Sequence, residues 1–456
     1  WGWFSGYGER SWPHTTAVVV HGLQLARDND VPLVPGMLER GIEWLENYRR
    51  EELLRLQNEA KGIEPRKKTA DDLDALVHGI LVDEGSDSPE MAAFLYRDRN
   101  GLSVYSKALF ALACHRTGDA EKLAMLRRNI EQFLVQDAEN ETAYLKLPDG
   151  NAWWYWHGDE IETDVAYLKL LAKVDPRGET APRLVKYLLN NRKHATYWNS
   201  TRDTAYCIEA FADYLKATGE MKPDMTVEVV LDGEVRKSVK IDSTNLFTFD
   251  NRFVLEGDQV TDGAHRLEIR RSGDGPVYFN TYLENFSLED RILAAGLEVK
   301  VQRRYWQLVP ARGEVETTGD RGQIVTIGVE KFERRELSDL SQVVSGDLIE
   351  VELEIDSKND YEYLLFEDPK PAGCEAVEQL SGYASGGGMG AYVEYRDEKV
   401  AFFVRRLERG THSLTYRLRA EIPGRFSALP TQASAMYAPE LRGNADELRL
   451  VIEDKE

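Results

Sequence analysis

Three cysteines in 456 residues are too few for a disulfide framework, and none stands in the paired spacing of a zinc site. Two of them could still pair, so the redox compartment stays open. Long apolar runs are missing too: no window approaches the roughly 18 to 20 unbroken apolar residues that a membrane-spanning helix needs. Positive charge is in deficit, with 57 Lys and Arg against 79 Asp and Glu and a formal charge of -22. Phosphate binding relies on clustered cations that release counterions, so no nucleic-acid partner is expected. The basic run "EPRKKTA" is short and reads as a solvated loop. There is no HExxH, no GxSxG elbow and no Walker loop, and His14 and His21, seven apart on one helix pattern, are weak support for zinc. The Gly-rich "SGYASGGGMGAYVEY" lies between strand-like segments rather than before a helix, which makes it a flexible surface loop rather than a phosphate cradle. No cofactor or metal is implied. The opening "WGWFSGYGERSW" lacks an initiator Met, a basic region and an apolar core, so no signal peptide is read there and the chain is expected to be cut from something longer.

What is present is a globular composition, 42% hydrophobic and 30% charged, and a length that suggests about three domains. The patterning changes once, near residue 220. Before it, "TTAVVVHGLQLA", "GMLERGIEWLENYRREELLRL", "DDLDALVHGILV", "SVYSKALFALACHR", "KLAMLRRNIEQFLV", "DVAYLKLLAKV", "RLVKYLLNN" and "DTAYCIEAFADYL" repeat apolar residues at helical spacing, predicting about nine helices. After it, "MTVEVVLDGEVRKSVKI", "HRLEIRRS", "VYFNTYLENF", "LEVKVQRRYWQLV", "DLIEVELEID", "AYVEYRDEKVAFFVRRL" and "HSLTYRLRAEI" alternate as antiparallel strands with one buried face do, with "LDGEV" as a hairpin turn. The expected fold is multidomain, α first and β-sandwich after.

The helical part repeats itself. "DVAYLKLLA" and "DTAYCIEAFA" share Asp-x-Ala-Tyr, and "SVYSKALFALA" carries a similar small, apolar face. Helical hairpins that bury a shared face build a solenoid or a closed α/α toroid. Superposing the echoes puts Cys207 where Leu168 sits, a core position.

At this point the residues carry a resemblance. "WNSTRDTAYCIEAFADYL" resembles the last helix of the thioester-containing helical domain of the alpha-2-macroglobulin and complement family. "YLLFEDPKPAGCEAVE" and "YVEYRDEKVAFFVRRLERGTHSLTYRLRAEIPGRFSALPTQASAMYAPELRG" are similar, almost throughout, to the terminal domain of bacterial alpha-2-macroglobulins. The resemblance implies a C-terminal fragment of a large periplasmic or envelope protease trap. Residues 1–221 would be part of an α/α-toroid domain, 222–294 the returning half of a CUB-like domain, and 295–456 the last macroglobulin-like sandwich. Bait segment, further macroglobulin-like domains and any lipid anchor would lie upstream, and the partners would be proteases and those upstream domains.

The family's thioester joins a Cys thiol to a Gln three residues on. Here Cys207 is followed at that spacing by Ala210, Cys114 by Thr117 and Cys374 by Val377, so no thioester forms in this chain. Cys207 and Cys114 read as small buried hydrophobes, and Cys374, between Pro and Gly neighbours, as a surface thiol. The resemblance aligns Trp1, Trp3, Phe4 and Trp12 with an aromatic-rich element that could shield a thioester from water, or else pack helix ends. It aligns Met436 and Tyr437 in "SAMYAPE" with a motif that covers the thioester pocket; the alternative is that Tyr437 packs inside its own sandwich. Trp153, Trp154 and Trp156 in "NAWWYWHGDE" could form a sugar or lipid platform or pack a toroid rim. Two rival readings are a non-covalent envelope scaffold and, more distantly, an α/α-toroid enzyme of terpenoid-cyclase type. The latter would use Asp71, Asp72 and Asp74 as acid or magnesium ligands, where the plainer reading is a capped helix start. Non-enzymatic protease inhibition ranks first.

Overall fold

The structure is a computed structural model. It describes residues 1–2, 8, 10–148, 159–192, 197–284, 291–318 and 324–455. These form two compact units, Trp1–Leu189 with Ser200–Thr281, and Asn190–Asn199 with Tyr282–Glu456.

The first unit holds nine α-helices among the described residues: α1 (Pro13–Asp28), α2 (Met37–Lys61), α3 (Asp72–Asp83), α4 (Pro89–Asp98), α5 (Val104–Thr117), α6 (Ala120–Glu131), α7 (Glu160–Val174), α8 (Thr180–Asn190) and α9 (Thr201–Thr218). Most start where a short polar side chain can take up an orphan first-turn N–H. Asp71, Ser88, Ser103, Asp119, Asp159 and Ser200 each accept such a bond. α5 and α9 stop at Gly118 and Gly219, whose φ of 76° and 80° is the left-handed conformation that glycine adopts without a Cβ clash. Odd-numbered helices pack in succession, α1 on α3, α3 on α5, α5 on α7 and α7 on α9, while α2 and α6 back them from outside. Their sequences differ accordingly. α5 and α7 are buried almost all round, whereas α6 buries only Leu126 and Ile130.

Three expectations about this unit and the segment after it need correction. "KLAMLRRNIEQFLV" does not stay helical: α6 ends at Glu131, and Leu134–Asp137 turns back as a hairpin on Thr142–Leu145. Asp137 accepts from the backbone N–H groups of Glu139 and Asn140, which builds the turn. "VYFNTYLENF" forms no strand over its described residues 277–284. The basic run is only partly solvated, because the Lys67 ammonium folds inward to Glu52, Asp71 and Asp74 at 2.8 to 2.9 Å.

A three-stranded antiparallel sheet completes this unit, with Asp224–Leu231 between Glu234–Asp242 and Leu267–Asp274. Its hairpin turns at Asp232 and Gly233, φ 53° and 85°, as "LDGEV" predicts.

The second unit is a sandwich. One sheet runs 382–386, 389–395, 399–407, 361–369, 432–435, 438–444; the other runs 374–376, 410–420, 348–357, 299–318, 324–337. A small third sheet holds 448–453 between 424–428 and 341–344, the last pairing parallel. The two large sheets share one core, in which Leu364, Phe366, Phe402 and Val404 face Tyr305, Ile349, Val351 and Tyr416. "SGYASGGGMGAYVEY" is not a flexible loop here. It forms two strands in register around Gly387 and Gly388, both at positive φ.

Charge also enters this core. Arg303 lies on one sheet and Asp368 on the other, both side chains essentially inaccessible, with Nη1 and Oδ1 2.7 Å apart. The guanidinium also donates to the carbonyls of Ala428, Leu429 and Asp446, and Asp368 accepts from the Tyr416 and Thr431 hydroxyls at 2.7 and 2.9 Å. Arg303→Met would strand a buried carboxylate and is expected to cost about 3 to 5 kcal/mol in urea unfolding. Pairing it with Asp368→Leu is expected to recover only part of that loss, because the carbonyls of Ala428, Leu429 and Asp446 still lack their donor.

His78, in α3, lies against the Phe110 ring and is almost wholly buried, and its Nδ1 has no hydrogen-bond partner among the described residues. Burial pushes its imidazolium down from the ordinary 6.5 to about 4. The unfolded chain therefore takes up this proton first, so the associated stability is complete above pH 6.5 and is lost as pH falls from 6.5 to about 4. Thermal melts across that window should show a loss of about 3 kcal/mol. The His78→Leu variant should lack it.

Candidate functional site

All three cysteines are free and buried. Burial raises the Cys207 thiol well above its usual range and pushes Cys114 and Cys374 up to about 12. Cys374 is thus no surface thiol. Its strand Cys374–Ala376 pairs with Leu418–Ala420 and turns the sulfur into the sandwich core. Cys207 and Leu168 are both fully buried, as the echo suggests. The echo is not in helical phase, however: Asp203 stands in the first turn of α9 beside its Ser200 cap, whereas Asp164 lies deeper in α7 and accepts from the Leu145 N–H at 2.8 Å.

The carboxylates that suggested an acid or magnesium site have structural partners. Asp71 and Asp74 close a capping box at the start of α3, and Asp72 accepts from the Ser103 N–H at 2.8 Å. Burial, with Asp71 nearby and Lys67 opposing, pushes the Asp74 carboxyl up to about 6. Among the described residues no group of three or more His, Cys, Asp or Glu side chains could hold a metal ion.

A different cluster lies at the centre of the helical unit. Glu209 of α9 accepts from His21 of α1 at 3.0 Å and from Lys169 of α7. Burial alone would raise this carboxyl, but the His21 hydrogen bond and the Lys169 ammonium outweigh it and hold it down at about 2. The contact joins the first helix to the last, so the odd-numbered helices close into a ring of five. Inside is a cavity of about 80 Å³ lined only from those helices: Val18 and His21, Leu76, Gly79, Ile80 and Asp83, Tyr105, Leu109, Leu112 and Ala113, Glu162, Val165, Ala166 and Lys169, Tyr206 and Glu209. Apolar side chains make the walls and charged pairs the rim, Glu162 being held by Arg202 and Asp83 by Arg116. Of these His21 drew notice in the sequence as half of a zinc pair and Tyr206 as the end of the Asp-x-Ala-Tyr echo; the partner of His21 is 188 residues away and no local spacing announces it.

The aromatic residues divide. Trp3, Phe4, Trp153, Trp154 and Trp156 lie outside the described residues. Trp1 is half-buried against α1 and α2, so close that a Cβ on Gly41 would stand 2.8 Å from its ring. Trp12 precedes α1 and is 57% exposed. Met436 and Tyr437 form the two-residue turn between the strands Gln432–Ala435 and Ala438–Asn444 and are 47% and 61% exposed. Tyr437 therefore does not pack inside the sandwich. It meets the edge of Tyr363, ring centroids 5.4 Å apart.

Comparison with known proteins places these elements. Residues 320–440 match the Bacterial Alpha-2-macroglobulin MG10 domain. An alpha-2-macroglobulin homolog of Nostoc sp. is 24% identical over 378 residues, 79% of this chain. Over residues 320–440 the chain thus matches a domain of bacterial alpha-2-macroglobulins. It spans 18% of the length of that relative. Among solved bacterial alpha-2-macroglobulins, trypsin-activated protein from Escherichia coli is 17% identical, with 98% of this chain and 28% of that one covered and a TM-score of 0.44. The Salmonella protein reacted with methylamine is 18% identical, with 97% and 26% covered and a TM-score of 0.35. Among its described residues the chain has no helix long and apolar enough to cross a membrane.

Replacing Glu209 tests the ring. Glu209→Gln leaves the Lys169 ammonium without its counter-charge and should cost about 2 to 4 kcal/mol. It should also raise hydrogen exchange in α1 more than in α5. The wild-type contribution is complete above pH 4.5 and is lost as pH falls from 4.5 to about 2, because the folded carboxyl holds its proton more weakly than the unfolded one.

Proposed function

We propose that this chain is the C-terminal part of a non-enzymatic, broad-spectrum protease inhibitor that works by trapping endopeptidases. The observation that carries the reading is the match of residues 320–440 to the MG10 domain, extended by similarity to a macroglobulin homolog over most of the chain. Under it, residues 1–221 are part of the α/α-toroid domain, 222–294 the returning half of a CUB-like domain, and 295–456 the terminal macroglobulin-like sandwich. The three-stranded sheet of the middle segment leaves Val235 and Leu267 exposed, as half of a larger sandwich would. The parent protein acts in the periplasm or cell envelope on proteases, and its reactive thioester lies outside this chain.

Met436 and Tyr437 cover the thioester pocket of the parent. Their position supports this role. Two-residue hairpin turns favour Gly, Asn and Asp, and here two large, exposed side chains stand instead, at a cost in solvation that a contact elsewhere would offset. Trp1 and Trp12, with Trp3 and Phe4, are the second group assigned to that shield.

The test uses the intact parent protein: treat it with methylamine, digest it, and search by mass spectrometry for a methylamide on Gln with one newly released thiol. A modified Gln upstream of Trp1 is the expected result. Replacing Met436 and Tyr437 together by Gly should then speed thioester hydrolysis about ten-fold or more, the equivalent of about 1.4 kcal/mol of lost shielding. An unmodified protein that still shelters a captured protease from large substrates would instead favour a steric trap. One that shelters none would favour the envelope scaffold.

A further inference from the structure

The turn that carries Met436 and Tyr437 leans on a residue in an uncommon backbone conformation. Tyr363, in the strand Tyr361–Pro369, has φ 57°. Five described residues other than glycine have positive φ, and four of them, Asp30, Glu141, Asp232 and Leu340, lie between elements, where the chain turns. Tyr363 alone among the five stands within a strand. For a bulky side chain this conformation is a genuine outlier, because it drives Cβ toward the following carbonyl oxygen.

The backbone has a reason to adopt it. Alternate residues of a regular strand face one side, and Leu364, Phe366 and Asp368 face the core in that way. Tyr361 is buried too, its hydroxyl donating to Glu298 at 2.8 Å, although it precedes Leu364 by three residues rather than two. The strand must change phase between them, and a left-handed residue does so. Glycine or asparagine would make that change with less strain. The phase change therefore explains the conformation but not the tyrosine.

What the tyrosine adds is contact with the turn. Its carbonyl oxygen accepts from the Met436 N–H at 2.9 Å. Its ring meets the Tyr437 ring at 85° with centroids 5.4 Å apart, the edge-to-face arrangement that aromatic pairs favour. A tyrosine 61% exposed on a two-residue turn has several rotamers open to it, and a neighbouring ring narrows that choice. Strain kept where a less strained residue would serve marks a position with a task.

We propose that Tyr363 is the positioning residue of the Met436–Tyr437 turn: its carbonyl fixes the turn's backbone and its ring holds Tyr437 pointing away from the sandwich. The proposal rests on the reading of that turn as the cover of the thioester pocket, and on that reading Tyr363 acts through Tyr437.

The experiment uses the intact parent protein and two readouts: hydrogen exchange at the Met436 amide, which reports the order of the turn, and the rate of thioester hydrolysis, which reports the cover. Tyr363→Gly keeps the carbonyl, relaxes the backbone and removes the ring. Both rates should rise about two- to ten-fold, the range that an aromatic pair is worth, while the melting temperature does not fall. Tyr363→Asn, which also tolerates the left-handed conformation, should behave like the glycine variant, so that loss of the ring and not glycine's freedom is the cause. Tyr363→Phe keeps the ring and should match wild type in both rates. Adding Tyr363→Gly to Met436→Gly and Tyr437→Gly should speed hydrolysis no further. The proposal is overturned if the glycine and asparagine variants exchange at Met436 as slowly as wild type, if the phenylalanine variant is as loose as they are, or if the triple variant hydrolyses faster than the Met436 and Tyr437 pair. Should that pair itself leave hydrolysis unchanged, the cover reading fails, and exchange at Met436 still decides whether Tyr363 positions the turn.

Discussion

The helical unit depends on a buried carboxylate that stays charged. Glu209 sits where burial would favour its neutral form, and it remains ionised because His21 and Lys169 converge on it from two other helices. That contact links α9 back to α1, so a series of helical hairpins becomes a ring with an interior. An open series would expose the same apolar faces to water. The rim pairs of Glu162 with Arg202 and Asp83 with Arg116 extend the arrangement and leave the interior electrically balanced.

The sandwich uses a buried ion pair differently. Arg303 and Asp368 bridge two sheets already held by a continuous apolar core, and the arginine's remaining donors serve backbone carbonyls that strands cannot reach. An apolar pair of the same volume could hold the sheets together, but it could not satisfy the carbonyls of Ala428, Leu429 and Asp446. In the helices the charge supplies connectivity; in the sandwich it satisfies buried backbone carbonyls.

Much of this was legible in the residues because the relevant physics is local. The change from 3.6-residue to two-residue periodicity near 220, the Asp and Ser caps and the Asp232–Gly233 turn each follow from neighbours within a few positions. The resemblance of "SAMYAPE" and its flanks pointed to the family that the MG10 match supports. The failures share one cause. Gln132 to Val135 fit a helix until Asp137 offered a turn, the Gly-rich segment paired because a neighbouring strand was available, and Cys374 is buried by a partner strand more than forty residues on. Tyr206 closes the Asp-x-Ala-Tyr echo, but Glu209, Lys169 and Tyr105 stand in no motif. Only the ring brings them together.

The small sheet of the second unit has a consequence for synthesis. Its central strand, Leu448–Glu453, is the last of its three in chain order, yet both neighbours, 341–344 and 424–428, pair only with it. Those two edges must wait, unpaired, until the central strand leaves the ribosome. The sandwich therefore cannot finish folding until residues 448–453 have been made, and exposed strand edges during that interval are open to wrong partners. Any factor that guards the nascent protein would be needed until that strand arrives.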